Sequence, residues 1–127
     1  MKRLLVLLLA LAISPLAWAQ YPNKPVRMIV PFAPGGASDF VGRIIQPKMS
    51  ELLGQQVIVE NRAGASGNIG LEYAAKAAPD GYTVYLGNIG TVALNPAVFT
   101  KLKTRPTRDF IAITQVETLR YREPPPY

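Results

Sequence analysis

Apolar positions in this chain fall into short runs, each closed by glycine and followed by residues at helical spacing. Val26 to Phe32 is almost continuously apolar, which suits a strand buried on both faces of a parallel sheet. Pro31 is expected near its end, because proline donates no ladder hydrogen bond. Val41, Ile44, Ile45, Met49, Leu52 and Leu53 then recur at helical spacing. The spacing predicts a helix that starts at Ser38 or Asp39, both good N-caps, and stops at Gly54. Pro47 lies inside it and is expected to kink it, at ~3 kcal/mol if nothing compensates. Gln56 to Asn61 reads as a second strand and Asn68 to Ala78 as a second helix. Pro79-Asp80-Gly81-Tyr82 reads as a turn, and Thr83 to about Asn88 as a third strand. Pro96 is expected to open a short helix through Leu102, and Asp109 to Val116 to form a fourth strand. Strands alternating with helices predict an α/β fold of right-handed βαβ units around a mainly parallel sheet.

The three strand ends share a second pattern. The first runs into Ala33-Pro34-Gly35-Gly36-Ala37-Ser38-Asp39, the second into Arg62-Ala63-Gly64-Ala65-Ser66-Gly67-Asn68, and the third into Gly87-Asn88-Ile89-Gly90-Thr91. Bare corners of this kind leave peptide N–H groups without intrahelical partners, which makes a site for a small anion. In open α/β sheets ligands lie beyond the carboxyl ends of the strands.

Each corner also has a plainer reading. The N–H groups of Gly36, Ala37 and Ser38 can face a carboxylate, or the segment is an ordinary tight turn. Asp39 suits a first helical turn, or it meets an amine or hydroxyl of a ligand. Asn88 and Thr91 can hydrogen-bond a ligand oxygen or cap the local backbone. Arg62 can meet an anion or pair with Glu60 or Glu72. Gly64-x-x-Gly67-x-x-Gly70 has one residue too many in its first gap for a dinucleotide fingerprint, and Asp80 sits in a turn instead of closing a strand.

Composition narrows the function classes. Met1-Lys2-Arg3, the apolar run Leu4 to Ile13 and Ala17-Trp18-Ala19 read as an export signal cleaved after Ala19. Ser14-Pro15 ends the apolar run short of the ~20 residues a membrane span needs. Residues 20–118 then make one modest domain, and residues 119–127, with Pro124-Pro125-Pro126, an irregular tail. The 127 residues include no cysteine, which excludes disulfides, thiolate chemistry and a lipid-anchoring thiol. They include no histidine, which excludes imidazole bases, Ser-His-Asp and Cys-His systems and His-ligated metals. No cofactor or metal and no catalytic residue is expected. The net charge of +6 is spread along the chain, whereas a nucleic-acid surface would cluster it among aromatics.

Several segments together resemble one family. Tyr21-Pro-x-Lys-Pro-Val-Arg-x-Ile-Val-Pro-Phe-x-Pro-Gly-Gly-x-x-Asp39 resembles the opening of the substrate-binding receptors of tripartite tricarboxylate transporters, the Bug proteins. So do Leu53-Gly-Gln-x-Val-x-Val-Glu-Asn-Arg-x-Gly-Ala-x-Gly-Asn-Ile-Gly70, Ala78-Pro-Asp-Gly-Tyr-Thr83 and Asn95-Pro96. The resemblance implies a partial first lobe of a two-domain, flytrap-type periplasmic receptor. Such receptors hold a small carboxylate between domains, often through backbone groups and ordered waters, and deliver it to a membrane permease. By matching motifs, the ligand loops would be Phe32, Ala33, Pro34, Gly35, Gly36, Ala37, Ser38 and Asp39; Gly64, Ala65, Ser66, Gly67 and Asn68; and Asn88, Ile89, Gly90 and Thr91. Pro47 and Thr104-Arg105-Pro106 depart from the family pattern, and the match is expected to fail after about Val116, so the chain reads as truncated. The competing readings are a small exported α/β enzyme with a glycine-rich anion site, and a truncated product without binding activity.

Overall fold

The computed structural model describes residues 21–117. The expected export signal and the expected irregular tail of residues 119–127 lie outside the described residues. The sheet has three strands, β1 (Val26–Val30), β2 (Val57–Asn61) and β3 (Thr83–Tyr85), in the order β2-β1-β3 and all parallel. Val26 of β1 sits opposite Val57 of β2, and Arg27 opposite Thr83 of β3. The central strand is therefore the apolar one, as expected of a strand flanked on both edges.

Helix α1 (Ala37–Leu53) covers one face of the sheet. There Val26, Met28 and Val57 form a buried cluster with Ile45, Met49, Leu53, Val59, Val84 and Leu86 around it. Gly42 lets α1 lie close, since a Cβ there would come 3.3 Å from Leu86 and 3.4 Å from Met28 and Val30. Helix α2 (Asn68–Ala75) follows β2 and buries Leu71 and Ala74. A π-helical turn, Gly90–Leu94, leads into α3 (Asn95–Val98), and α4 (Pro106–Asp109) follows.

Four expectations change. The N-cap of α1 is Gly36, not Ser38 or Asp39, and both of those residues lie inside the first turn. The helix runs unbroken across Pro47. Residues on either side tie it to β2: Gln46 Nε2 donates to the Val57 carbonyl (2.9 Å) and Ser50 Oγ accepts from the Val57 N–H (2.9 Å). β1 and β3 are shorter than the apolar runs suggest, because the last residues of each run turn into the corners, and α2 ends at Ala75, where the Lys76 and Ala77 N–H groups bond the Tyr73 and Ala74 carbonyls in a turn. The fourth strand, Asp109 to Val116, does not form. Pro106 at N1 and Asp109, whose carboxylate accepts from the Arg105 N–H (2.8 Å), make a helical turn instead. Ile111 and Ile113 beyond it are 93% and 81% exposed, and the segment pairs with neither edge strand, β2 or β3.

Candidate functional site

The first corner turns on Gly35, with φ +85°, and ends at Gly36, whose extended φ of −81° starts α1. Asp39 fixes this turn. Its carboxylate accepts from the Gly35 N–H (2.8 Å), Arg43 Nε (2.9 Å) and Asn61 Nδ2 (2.9 Å). Asn61 Nδ2 also donates to the Phe32 carbonyl (3.0 Å), which ties the corner to the end of β2. The Arg43 guanidinium, then the Gly35 N–H and the Asn61 amide, hold the Asp39 carboxyl well below the usual carboxylate range. Asp39 is 3% exposed and fully hydrogen-bonded, so it shapes the loop and keeps Arg43 engaged. The Gly36 N–H points back to the Ala33 carbonyl (3.4 Å) and the first helical bond is donated by the Phe40 N–H, so the Ala37, Ser38 and Asp39 N–H groups have no intrahelical partner.

The third corner closes on itself. Asn88 Oδ1 accepts from the Thr91 N–H (3.0 Å), and Thr91 Oγ1 accepts from the Asn88 N–H (3.2 Å). Thr91 is fully buried, whereas Asn88 reaches the surface beside the first corner. There Phe32, Gly36, Ala37, Ser38 and Asn88 line an open cavity of about 240 Å³. None of these five side chains is charged.

The second corner abuts this cavity through Gly67. A Cβ on Gly67 would lie 2.5 Å from Thr91 Cγ2 and 3.4 Å from Phe32 and Pro31, and its φ is +89°. The corner thus packs under the Phe32 wall and against the third corner. Arg62 is spent on Glu60, which also binds Arg27, and its guanidinium lies 4.3 Å from the Tyr73 ring centre. The two arginines beside Glu60 hold its carboxyl below the usual range against the opposing effect of burial.

Among the expected ligand residues, the structure brings Phe32, Gly36, Ala37, Ser38 and Asn88 onto one surface. Ala33, Pro34 and Gly35 are exposed beside it, as are Gly64, Ala65, Ser66 and Ile89, while Gly90 is half-buried. Asp39, Gly67, Asn68 and Thr91 lie inside and support those loops. Among the described residues no group of three or more acidic residues, histidines or cysteines could hold a metal.

Residues 41–121 match the family described as the tripartite tricarboxylate transporter family receptor. The chain belongs to this receptor family. The match carries past Val116, where the sequence motifs had run out. Among curated members, a protein of Agrobacterium vitis from the ttuE-ttuC' intergenic region is 46% identical over 88% of this chain. BugT of Bordetella pertussis is 36% identical over 81% of it. The chain spans about a third of the length of these relatives, 33% and 32% respectively. Among solved structures, MatC of Rhodopseudomonas palustris with bound malate superposes with a TM-score of 0.68 at 43% identity, over 71% of this chain and 31% of MatC. An R. palustris protein with adipate gives 0.54 at 43% identity, over 55% of this chain and 23% of that one. The family is one of transporter receptors rather than enzymes, and a further solved relative, BugD, is a periplasmic binding protein. No helix of the described residues is long and apolar enough to cross a membrane.

Sequence reasoning missed Asn61 and Asn95 as parts of the site. Asn95 is buried, and its Nδ2 donates to the Ser66 carbonyl (2.8 Å) and to Asn68 Oδ1 (2.7 Å). A signal was present: Thr91 and Asn95 are four residues apart, the spacing that places two side chains on one helical face.

Proposed function

We propose that residues 20–118 supply the first lobe of a periplasmic receptor that captures a small carboxylate and hands it to the membrane permease of a tripartite transporter. The observation that carries this reading is the uncharged cavity where the start of α1 meets Asn88. At that point the Ala37 and Ser38 N–H groups, the Ser38 hydroxyl and Asn88 Nδ2 are donors, and the positive end of the 17-residue α1 adds to them. The nearby cations are already paired, Arg43 with Asp39 and Arg62 with Glu60, so recognition falls to fixed hydrogen-bond donors. A cavity of about 240 Å³ suits a small acid better than a nucleotide. Malate in MatC and adipate in its relative support carboxylates as the ligand class. The export signal ending at Ala19 supports the periplasm as the location.

The test is a titration of the ¹⁵N-labelled chain with malate and with adipate, read residue by residue by NMR. Saturable shifts centred on Phe32, Gly36, Ala37, Ser38 and Asn88 are expected with at least one acid, even if affinity is millimolar. Shifts confined to other surfaces, or none with either acid, refute the reading.

A further inference from the structure

The second corner is a strained loop held from outside. Gly64, Ala65, Ser66 and Gly67 have consecutive positive φ values of +129°, +47°, +56° and +89°. Ala65 and Ser66 carry a Cβ and enter this region only at a steric cost. The loop's own hydrogen bonds run from the Gly67 N–H to the Gly64 carbonyl (2.9 Å) and from the Asn68 N–H to the Ala65 carbonyl, and close one tight turn. Besides Phe32 and Pro31 packed on Gly67, further contacts come from the helical run after the third corner. Thr91 sets its methyl against Gly67. One turn later, Asn95 Nδ2 bonds the Ser66 carbonyl and the Asn68 side chain together. Asn95 and Asn68 are 7% and 8% exposed, so water does not replace a lost partner cheaply.

We propose that Asn95, acting with Asn68, is a positioning residue for the carboxylate site. Its amide bonds the strained loop and the first residue of α2 at once, which locks the second corner in its left-handed form. That corner backs the Phe32 wall of the cavity through Gly67, so the lock sets the shape of the ligand surface. Neither asparagine lines the cavity itself. This inference rests on the carboxylate-capturing reading above.

Two isosteric substitutions separate the roles. Asn95→Asp removes the amide donor to the Ser66 carbonyl and Asn68 Oδ1. Asn68→Asp adds the same charge at the neighbouring position but keeps an acceptor for Asn95 Nδ2. In the ligand-free chain, Asn95→Asp should shift and broaden the amide signals of residues 64–68 and of Phe32, and leave those of Met28 and Ile45 in place. Asn68→Asp should change them much less. Malate should then bind Asn95→Asp at least about tenfold more weakly than Asn68→Asp, the loss expected from stranding a buried acceptor. Equal effects of the two substitutions, or unchanged signals at residues 64–68 in Asn95→Asp, overturn the inference whatever the wild type binds. Failure of the wild type to bind malate or adipate overturns the functional reading instead, while the amide signals still judge the lock. If Asn95→Asp does not fold, hydrogen exchange of the wild type decides. The Phe99 N–H donates to the Asn95 carbonyl (2.8 Å), so the Gly67 and Phe99 amides should open together if one lock holds both, and independent opening overturns it.

Discussion

Gly67→Ala offers the most direct check on how the corners are assembled. The added methyl would meet Thr91 Cγ2 at 2.5 Å, inside van der Waals contact, on a backbone with φ +89°. An L-residue in the left-handed region costs ~1–2 kcal/mol. Overpacking a filled site adds ~1–3 kcal/mol. The stiffer unfolded chain returns ~0.4–1 kcal/mol. The net expectation is a loss of ~2–4 kcal/mol, or at least ~10 °C in Tm for a domain of this size. Gly36→Ala is the control, because its φ is −81° and its new Cβ would meet only the Ala33 carbonyl, at 3.5 Å. It should stay within ~0.5 kcal/mol of wild type. Urea unfolding followed by far-UV circular dichroism measures both. Thr91→Ser then divides the cost, since it removes the methyl and keeps the Oγ that bonds Asn88. Combined with Gly67→Ala it should restore ~1–2 kcal/mol relative to additivity, leaving the backbone strain. Wild-type stability in Gly67→Ala, or strict additivity with Thr91→Ser, would show that the second and third corners do not press on one another as described.

Two further outcomes follow from other parts of the chain. The folded-state pKa of Asp39 is depressed, so its contribution to stability is present above the unfolded value of ~3.9 and is lost as pH falls below it. Urea midpoints of the wild type should therefore fall more steeply than those of Asp39→Asn below about pH 4; parallel curves would remove Asp39 from the fold's acid sensitivity. Ile113→Asp should leave stability within ~0.5 kcal/mol of wild type, because Ile113 is 81% exposed, and a larger loss would restore the fourth strand.

The sheet and its helices were legible because burial on two faces leaves a plain record. Val26 to Val30 is apolar without alternation, and Ile45, Met49 and Leu53 recur one turn apart. The corners were legible from Gly35, Gly64 and Gly67, whose positive φ few other residues adopt. The fourth strand misled because Phe110, Ile111 and Ile113 carry strand-like spacing, yet the segment pairs with neither β2 nor β3. Phe110 packs on Tyr85 as a single ring contact, 5.3 Å between centres. Spacing reports what a segment can bury, not whether a partner lies beside it. The roles of Asp39, Asn61 and Asn95 were hidden for a related reason. Each acts through a hydrogen bond to a residue distant in sequence or to a loop carbonyl, such as Asn95 to Ser66, and composition does not record such pairs.

The placement of β1 at the centre of the sheet also dictates an order of events. Residues 26–30 emerge first, yet their partners are residues 57–61 on one side and 83–85 on the other. A chain delivered from its N-terminus therefore leaves this apolar segment without both partners until residue 85 has followed. Both closures span long loops, which makes them slow as well as late. The strand that anchors the finished domain is thus the one most in need of a chaperone while the chain is in transit.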